Sequence, residues 1–462
     1  MKKNTAPKKK TELSSVFILV FLILFGLCFI AMLAMSLKTR GESFLQTLFF
    51  ADNSTNRDFF MDFFNPLRDA KDADVFARGS INTPLACLIF FLFSHMIPSS
   101  VTETTFSQRY AMQANQQAIV IYYVFLTICL VSFAFMLRAY LKGAKNKALA
   151  TVLSFAFLFI YPLFYCVERG NMALLAMICT AFFVFFHDSE NDSVRNFSLL
   201  VFAFGAALKL YPIVFILLPV HKKRYKDLLK TAIYFLIFFL VPAVFYHFGA
   251  DLLVYFKNLV SYGETHKVGF SLTSVSVSSL VTLLGGGKVV GEIACVVTCI
   301  LAAAASFLVP KDWQRYALLA YCIVNIRIVS SIFVLVFFLI PFIVFISAQT
   351  KKRMIDWLYL LLFSLILLPL PCFWYFHPEK MQSLFVSLHV SPILSMNQLI
   401  AMPAVQLLFL FLCLEGLINF INLVRDGASP LSFFGGPEKR KRKAPSKPAG
   451  KNDLTVADGE GA

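Results

Sequence analysis

Residues 161–230 decide the fold, and they read YPLFYCVERGNMALLAMICTAFFVFFHDSENDSVRNFSLLVFAFGAALKLYPIVFILLPVHKKRYKDLLK. The polar sequence ERGN, residues 168–171, separates two apolar runs, and Lys209 lies inside a third run as part of KLYP. A cation within a membrane segment costs about 2.5–3.5 kcal/mol on insertion scales. The fold or a ligand therefore has to offset the charge of Lys209.

Two interpretations of these charges compete. In the first, Lys209 lies near a helix end and extends its ammonium to the lipid headgroups, while ERGN is a polar turn in which Asn171 caps a helix. In the second, Arg169 and Lys209 form a cationic pair that faces an anionic, lipid-linked substrate at the membrane surface. The physical chemistry of these residues alone favours neither interpretation.

Composition limits the fold class. Hydrophobic residues make up 58% of the 462 residues and charged residues only 15%, and apolar runs of membrane-spanning length recur along the chain. Continuous runs of this kind predict helices and exclude a β-barrel, whose strands alternate over short segments. We therefore expect an all-α, polytopic helical membrane protein.

The charge distribution predicts the topology. The chain has 42 Lys and Arg against 26 Asp and Glu, and the basic residues cluster at the ends of apolar runs, as in MKKNTAPKKK, RAYLKGAKNK, HKKRYK and PEKRKRKAPSK. This is the positive-inside pattern, and it indicates contact with anionic membrane lipid rather than with nucleic acid. Both termini are expected in the cytoplasm of a multi-pass protein of the cell membrane.

About twelve crossings satisfy every basic tract, provided that Pro212 breaks the third run so that ERGN and KLYP both face outward. The predicted organisation is a basic cytoplasmic N-terminus, a membrane domain that contains an outer loop and the ERGN/KLYP core, and a disordered basic cytoplasmic tail. The N-terminus is assigned to residues 1–13, the membrane domain to residues 14–424 and the tail to residues 425–462. Within the membrane domain, the outer loop is residues 37–117 and the ERGN/KLYP core is residues 161–230.

The outer loop carries the densest group of carboxylates in the chain. Phenylalanines are interleaved with them, which is typical of juxtamembrane helices lying in the interface. The six acidic residues are Asp52, Asp58, Asp62, Asp69, Asp72 and Asp74. The sequence has no glycine-rich nucleotide loop, no HExxH and no CxxC pair, so we assign no cofactor and no metal ligands. The outer-loop carboxylates nevertheless leave open whether a divalent ion binds there. A carboxylate opposite fixed cations can serve a transfer in which a hydroxyl loses its proton while a phosphate departs.

An outer-loop Asp, ERGN at the start of one helix and KLYP before a basic turn together resemble the GT-C membrane glycosyltransferases, and glycosyltransferase family 87 in particular. The resemblance implies a GT-C-like fold and an inverting enzyme, a hexosyltransferase that is expected to be a mannosyltransferase. Its donor would be a polyprenyl-phosphate sugar and its acceptor a hydroxyl of a glycolipid or glycan. Its active site would lie on the non-cytoplasmic face.

Carried over to this sequence, the resemblance assigns the catalytic base to Asp62 in FMDFFNP, with Asp58 as the alternative four residues earlier. The sequence departs from the family at residues 82–85, where NTPL replaces the Tyr-Pro-Pro-Leu of many relatives.

The resemblance also assigns a substrate-binding set. Arg169 and Lys209 would bind the donor phosphate, and Tyr211 would contact the lipid or the sugar. Asn171 would hold the turn, and Glu168 belongs to the same motif.

The alternative from another functional class is a transporter or flippase of lipid-linked saccharides, which would also place cations among membrane helices.

Overall fold

The computed structural model describes residues 15–41, 59–71, 74–98, 111–141, 147–246, 250–265, 275–326, 332–347, 353–370 and 396–426. Over these ranges the chain is helical and contains no β-strand, which confirms the predicted all-α class.

From the N-terminus the helices are α1 (Ser15–Lys38), α2 (Met61–Asp69), α3 (Pro84–Ser94), α4 (Gln116–Leu141), α5 (Lys147–Phe157), α6 (Tyr161–Arg169), α7 (Ala173–Phe186), α8 (Asp192–Leu208) and α9 (Leu217–His221). They continue with α10 (Tyr225–Phe245), α11 (Ala250–Thr265), α12 (Val277–Leu283), α13 (Lys288–Leu308), α14 (Asp312–Ile326), α15 (Leu339–Ser347), α16 (Met354–Leu367) and α17 (Met396–Arg425). A one-turn helix, Ala111–Ala114, and the 3₁₀ segments Tyr211–Ile216 and Ile332–Phe338 complete the helical structure of the described residues.

Five of the described helices are long and apolar enough to cross a membrane: α1, α4, α10, α13 and α17. A sixth span results if α5 and α6, which meet at an angle of 44°, are counted together. The predicted count of about twelve crossings stays a prediction, because the other apolar helices, among them α7 and α16, are shorter.

One predicted run is two helices. Residues 148–167 read as a single apolar segment, but α5 ends at Phe157 and α6 begins at Tyr161 with Pro162 in its first turn. Proline lacks the N–H that would bond to the preceding turn, and this loss costs nothing in the first turn of a helix, where such an N–H has no partner within the helix. The short helix α6 therefore has its own direction and carries ERGN at its end.

The helices divide into a buried centre and an apolar periphery. Every residue of the segment Ile332–Phe338 is buried, as are most residues of α14 and α15. The long helix α13 instead exposes residues such as Val289, Ile293 and Ile300, which suits a helix that faces lipid. The buried segment packs against α6, where the Cys166 thiol donates to the Phe333 carbonyl at 3.3 Å, and so fixes the helix that ends in ERGN.

The predicted break at KLYP is confirmed. Helix α8 ends at Leu208, and Lys209 adopts an extended conformation before the 3₁₀ turn that contains Pro212. The chain then returns, because Lys222 and Arg224 both pair with Asp188 in the turn before α8, the Arg224 Nη1 atom lying 3.1 Å from Asp188 Oδ1. Lys209 consequently lies at the opposite end of α8 from this basic turn.

Candidate active site

The site is built where the first turn of α2 meets the end of α6. Phe60 precedes α2 in a left-handed conformation (φ 62°), and its backbone N–H donates to the Glu168 carbonyl at 2.7 Å. A non-glycine residue in this conformation is strained and persists only where its surroundings hold it. The Phe60 ring packs against Tyr122 in a tilted arrangement, with 4.5 Å between the ring centroids, and the Tyr122 hydroxyl donates to the Val167 carbonyl. Helix α2 is thereby fixed to the ERGN turn.

Gly170 allows this close approach. It ends α6 with φ 66° in a Schellman motif, in which the N–H groups of Gly170 and Asn171 donate to the carbonyls of Val167 and Cys166 at 3.1 and 3.2 Å. A Cβ atom at Gly170 would lie 2.7 Å from the Phe63 Cβ atom of α2, closer than real Cβ contacts come. The glycine of ERGN thus provides both the backbone conformation and the space that α2 needs.

The Asp62 carboxylate is held by two side chains of ERGN. Arg169 Nη2 donates to Asp62 Oδ1 at 2.6 Å, and Asn171 Nδ2 donates to Asp62 Oδ2 at 2.8 Å. The Asn171 Oδ1 atom also accepts from the Ala173 N–H at 2.9 Å, which ties this side chain to the start of α7. The Asp62 side chain is 26% exposed and that of Arg169 14%, so this ion pair is partly buried.

These contacts determine the protonation state of Asp62. Burial alone would raise the pKa of the carboxyl, but the charge of Arg169, the hydrogen bonds from Arg169 and Asn171, and the charge of Lys209 outweigh burial and hold the pKa below its ordinary value of 3.8. Asp62 is therefore ionised at neutral pH and can accept a proton.

Lys209 belongs to the same site. Its charge acts on Asp62, and its Nζ atom donates to the Asn82 Oδ1 atom at 3.2 Å. Next to it, the Thr83 hydroxyl donates to the Leu208 carbonyl at 3.0 Å and joins the start of α3 to the end of α8. The structure thus brings Asp62, Arg169 and Asn171 into direct contact and places Lys209 close enough for its charge to affect Asp62.

The other predicted site residues have different positions. The Glu168 side chain is only 1% exposed, and the carbonyl of this residue receives the bond from Phe60. Tyr211 is 6% exposed and packs edge-on against Phe337 with 5.7 Å between the ring centroids. Asp58 lies outside the described residues. Within the described ranges there is no group of three or more His, Cys, Asp or Glu that could hold a metal ion.

Sequence reasoning missed two contributors. Asn82 stands in the sequence only as part of the departure from the family pattern. A polar pair directly before Pro84 is also typical of a helix start, and Thr83 does cap α3. Tyr122 stands next to Tyr123 in an apolar run, and the sequence does not distinguish the buried ring from its exposed neighbour.

Comparison with protein-family models matches residues 81–337, more than half of the 462 residues, to glycosyltransferase family 87. The chain belongs to glycosyltransferase family 87. The matched range includes ERGN, KLYP and Asn82, whereas Asp62 precedes it. No curated protein and no solved structure matches the chain. As a member of family 87, the protein is a membrane glycosyltransferase that acts on a sugar donor and an acceptor, which favours the enzyme over the transporter alternative.

Proposed function

We propose that this family 87 glycosyltransferase transfers mannose, with inversion, from a polyprenyl phosphate to a hydroxyl of a glycolipid or glycan on the non-cytoplasmic face of the membrane. The observation that carries the proposal is the pair of hydrogen bonds by which Arg169 and Asn171 hold the Asp62 carboxylate, with the charge of Lys209 nearby. The choice of sugar and donor comes from the resemblance to the polyprenyl-phosphate-mannose enzymes of the family.

In the proposed reaction, the acceptor hydroxyl gives its proton to Asp62 while its oxygen forms a bond to the anomeric carbon. The bond between that carbon and the phosphate oxygen breaks, and the electron pair leaves with the polyprenyl phosphate. General base catalysis requires a carboxylate that is ionised and within reach of the hydroxyl proton. The hydrogen bonds to Asp62 hold such a carboxylate in one orientation.

The two cations have different tasks in this proposal. Arg169 pairs directly with Asp62 and so orients the base, where the sequence predicted a phosphate contact. A guanidinium has five N–H donors, so Arg169 can hold the carboxylate and still contribute to binding a phosphate. Lys209, whose contact with Asn82 is to a neutral amide, is assigned to the donor phosphate, where its charge stabilises the leaving group.

Transfer kinetics of the purified protein in lipid nanodiscs test this function, with a polyprenyl-phosphate mannose donor and a membrane glycolipid acceptor. Asp62→Asn keeps the shape of the side chain but removes the base, so kcat should fall about 100-fold or more. Lys209→Ala should mainly raise the KM for the donor. The matched control is Asp69→Asn, because Asp69 lies on the same helix and pairs with Arg68 at 2.8 Å, away from Asp62. Transfer by Asp62→Asn at the parent rate would contradict the proposal.

A further inference from the structure

Lys209 owes its position to residues that lie far away in the sequence. It follows the last residue of α8 with φ −141° and ψ 121°, so its side chain leaves the helix direction at the point where the chain turns back. The Nζ atom donates to Asn82 Oδ1 at 3.2 Å, across 127 residues of chain. A lysine side chain has four rotatable bonds, and a fixed acceptor selects one position of its ammonium.

Asn82 is itself held on several sides. Its N–H donates to the Ser80 hydroxyl at 3.3 Å, and its carbonyl accepts from the Cys87 thiol at 3.6 Å. Upstream, the Asn258 side chain of α11 donates to the carbonyls of Phe76 and Ser80 at 2.6 and 3.2 Å. The segment before α3 is thus a rigid support for the amide that contacts Lys209.

The Asn82 side-chain amide is neutral, so it does not cancel the charge of the Lys209 ammonium. A carboxylate at residue 82 would place a negative charge against the ammonium and in the way of an anionic ligand, whereas an amide oxygen orients the ammonium and leaves its positive charge in place. Arg169 shows the opposite arrangement, because its contact is with the Asp62 carboxylate. Arg169 thus donates to a carboxylate, and Lys209 has a neutral amide oxygen among its acceptors.

We propose that Asn82 is a positioning residue that presents the Lys209 ammonium to the phosphate of the sugar donor. This inference rests on the proposed function, since it assigns the phosphate to Lys209. It adds that the donor affinity depends on the neutral charge and the fixed position of the Asn82 amide.

The chain offers a matched control for the test. At the other end of α8, Lys230 Nζ donates to Asn196 Oδ1 at 2.8 Å, which is the same Lys–Asn pair on the exposed face near the basic turn. Asn82→Asp and Asn196→Asp therefore make the same chemical change beside a lysine, and only the first change affects the proposed site.

The experiment measures donor KM, kcat and the direct binding of polyprenyl phosphate without sugar for full-length protein in nanodiscs. Asn82→Asp should raise the donor KM and the Kd of polyprenyl phosphate about tenfold or more, with kcat within about twofold of the parent value. Asn196→Asp should change none of the three. If Asn82→Asp does not give a monodisperse protein, Asn82→Ala carries the test, with an expected rise of roughly threefold in Kd.

Two failures are distinguishable. If Lys209→Ala weakens the binding of polyprenyl phosphate but Asn82→Asp, or Asn82→Ala in its place, binds like the parent, the role of Asn82 is overturned and the proposed function stands. If Lys209→Ala itself binds polyprenyl phosphate like the parent, Lys209 is not the phosphate ligand and the proposals for both residues fail. An equal loss of kcat and affinity in Asn82→Asp would indicate a general structural defect and would also overturn the positioning role.

Discussion

At the scale of single residues, the site depends on how one carboxylate is held. Asp62 is partly buried, and burial disfavours its charge. Arg169 and Asn171 reverse this effect because each donates to a different oxygen of the carboxylate. The same two residues belong to one turn, so a single local structure keeps Asp62 ionised and oriented.

This arrangement predicts a pH dependence. With its pKa held below 3.8, Asp62 stays ionised at every pH above that value, so it does not limit activity at mildly acidic pH. If Arg169 or Asn171 no longer donates to the carboxylate, the effect of burial is opposed less strongly and the pKa of Asp62 rises. The acidic limb of the kcat/KM profile should therefore move to higher pH in Asn171→Ala and further in Arg169→Gln, which also loses the charge. Arg68→Gln is the control, since Arg68 pairs with Asp69.

The same shift has a consequence for stability. A carboxyl with a lowered pKa in the folded state stabilises the fold above its unfolded-state pKa, and this contribution is lost as the pH falls through the lower, folded-state value.

The prediction for activity is contradicted if the acidic limbs of the kcat/KM profiles coincide for the parent, Asn171→Ala and Arg169→Gln. Another group would then limit the reaction at low pH.

The sequence predicted that these residues converge but not which of them pair. Basic tracts and the break at Pro212 are local features, and they were enough to place ERGN and KLYP at one end of the helices. The contact between Arg169 and Asp62 spans 107 residues of chain and that between Lys209 and Asn82 spans 127, so both depend on helix packing that no local pattern encodes. For this reason the sequence does not reveal that Arg169 pairs with Asp62 or that Asn82 contacts Lys209.

At the scale of elements, the site depends on the contact between α2 and α6. The predicted break at KLYP agrees with the observed end of α8 at Leu208. The predicted and observed bounds differ at α5 and α6, where Pro162 starts a second helix within one apolar run. The short helix α2 was expected only as an interfacial helix, and its position against the ERGN turn follows from Phe60 and Gly170.

Gly170→Ala tests this contact between elements. The added methyl group would meet Phe63 at 2.7 Å and the Phe60 carbonyl oxygen at 3.3 Å, and the left-handed φ of 66° is itself unfavourable for alanine by about 1 kcal/mol. Helix α2 has to move, and Asp62 moves with it, so kcat should fall at least about tenfold and the protein should unfold at a lower temperature. Activity and thermal stability of the purified variant are the measurements.

The control for Gly170→Ala is Gly26→Ala in α1, where an added Cβ meets no atom within 4 Å. This change should leave both activity and thermal stability near the parent values. A Gly170→Ala variant that behaved like Gly26→Ala would show that α2 can shift without loss and that the close packing is not needed.

At the scale of the whole molecule, two groups of polar side chains lie at opposite ends of α8. Helix α8 has 17 residues, which corresponds to about 25 Å, close to the thickness of the hydrocarbon core of a bilayer. Asp188, Lys222 and Arg224 lie at its start, and Lys209 and Asn82 lie at its end. The positive-inside pattern assigns the first group to the cytoplasm, so the site is predicted on the opposite face.

Cysteine labelling tests this assignment in intact cells. Ala77, near Asn82, and Glu190, in the turn before α8, are both exposed, whereas the cysteines in the described ranges are buried or only partly exposed. A membrane-impermeant maleimide should label Ala77→Cys in intact cells and Glu190→Cys only after the cells are permeabilised, with the parent protein as the control for background. Both variants should retain transfer activity, which shows that the labelled proteins are folded.

Labelling of Glu190→Cys and not of Ala77→Cys in intact cells would contradict this assignment. It would place Asp62 and Lys209 on the cytoplasmic face, and the donor would then have to present its phosphate from the inner leaflet.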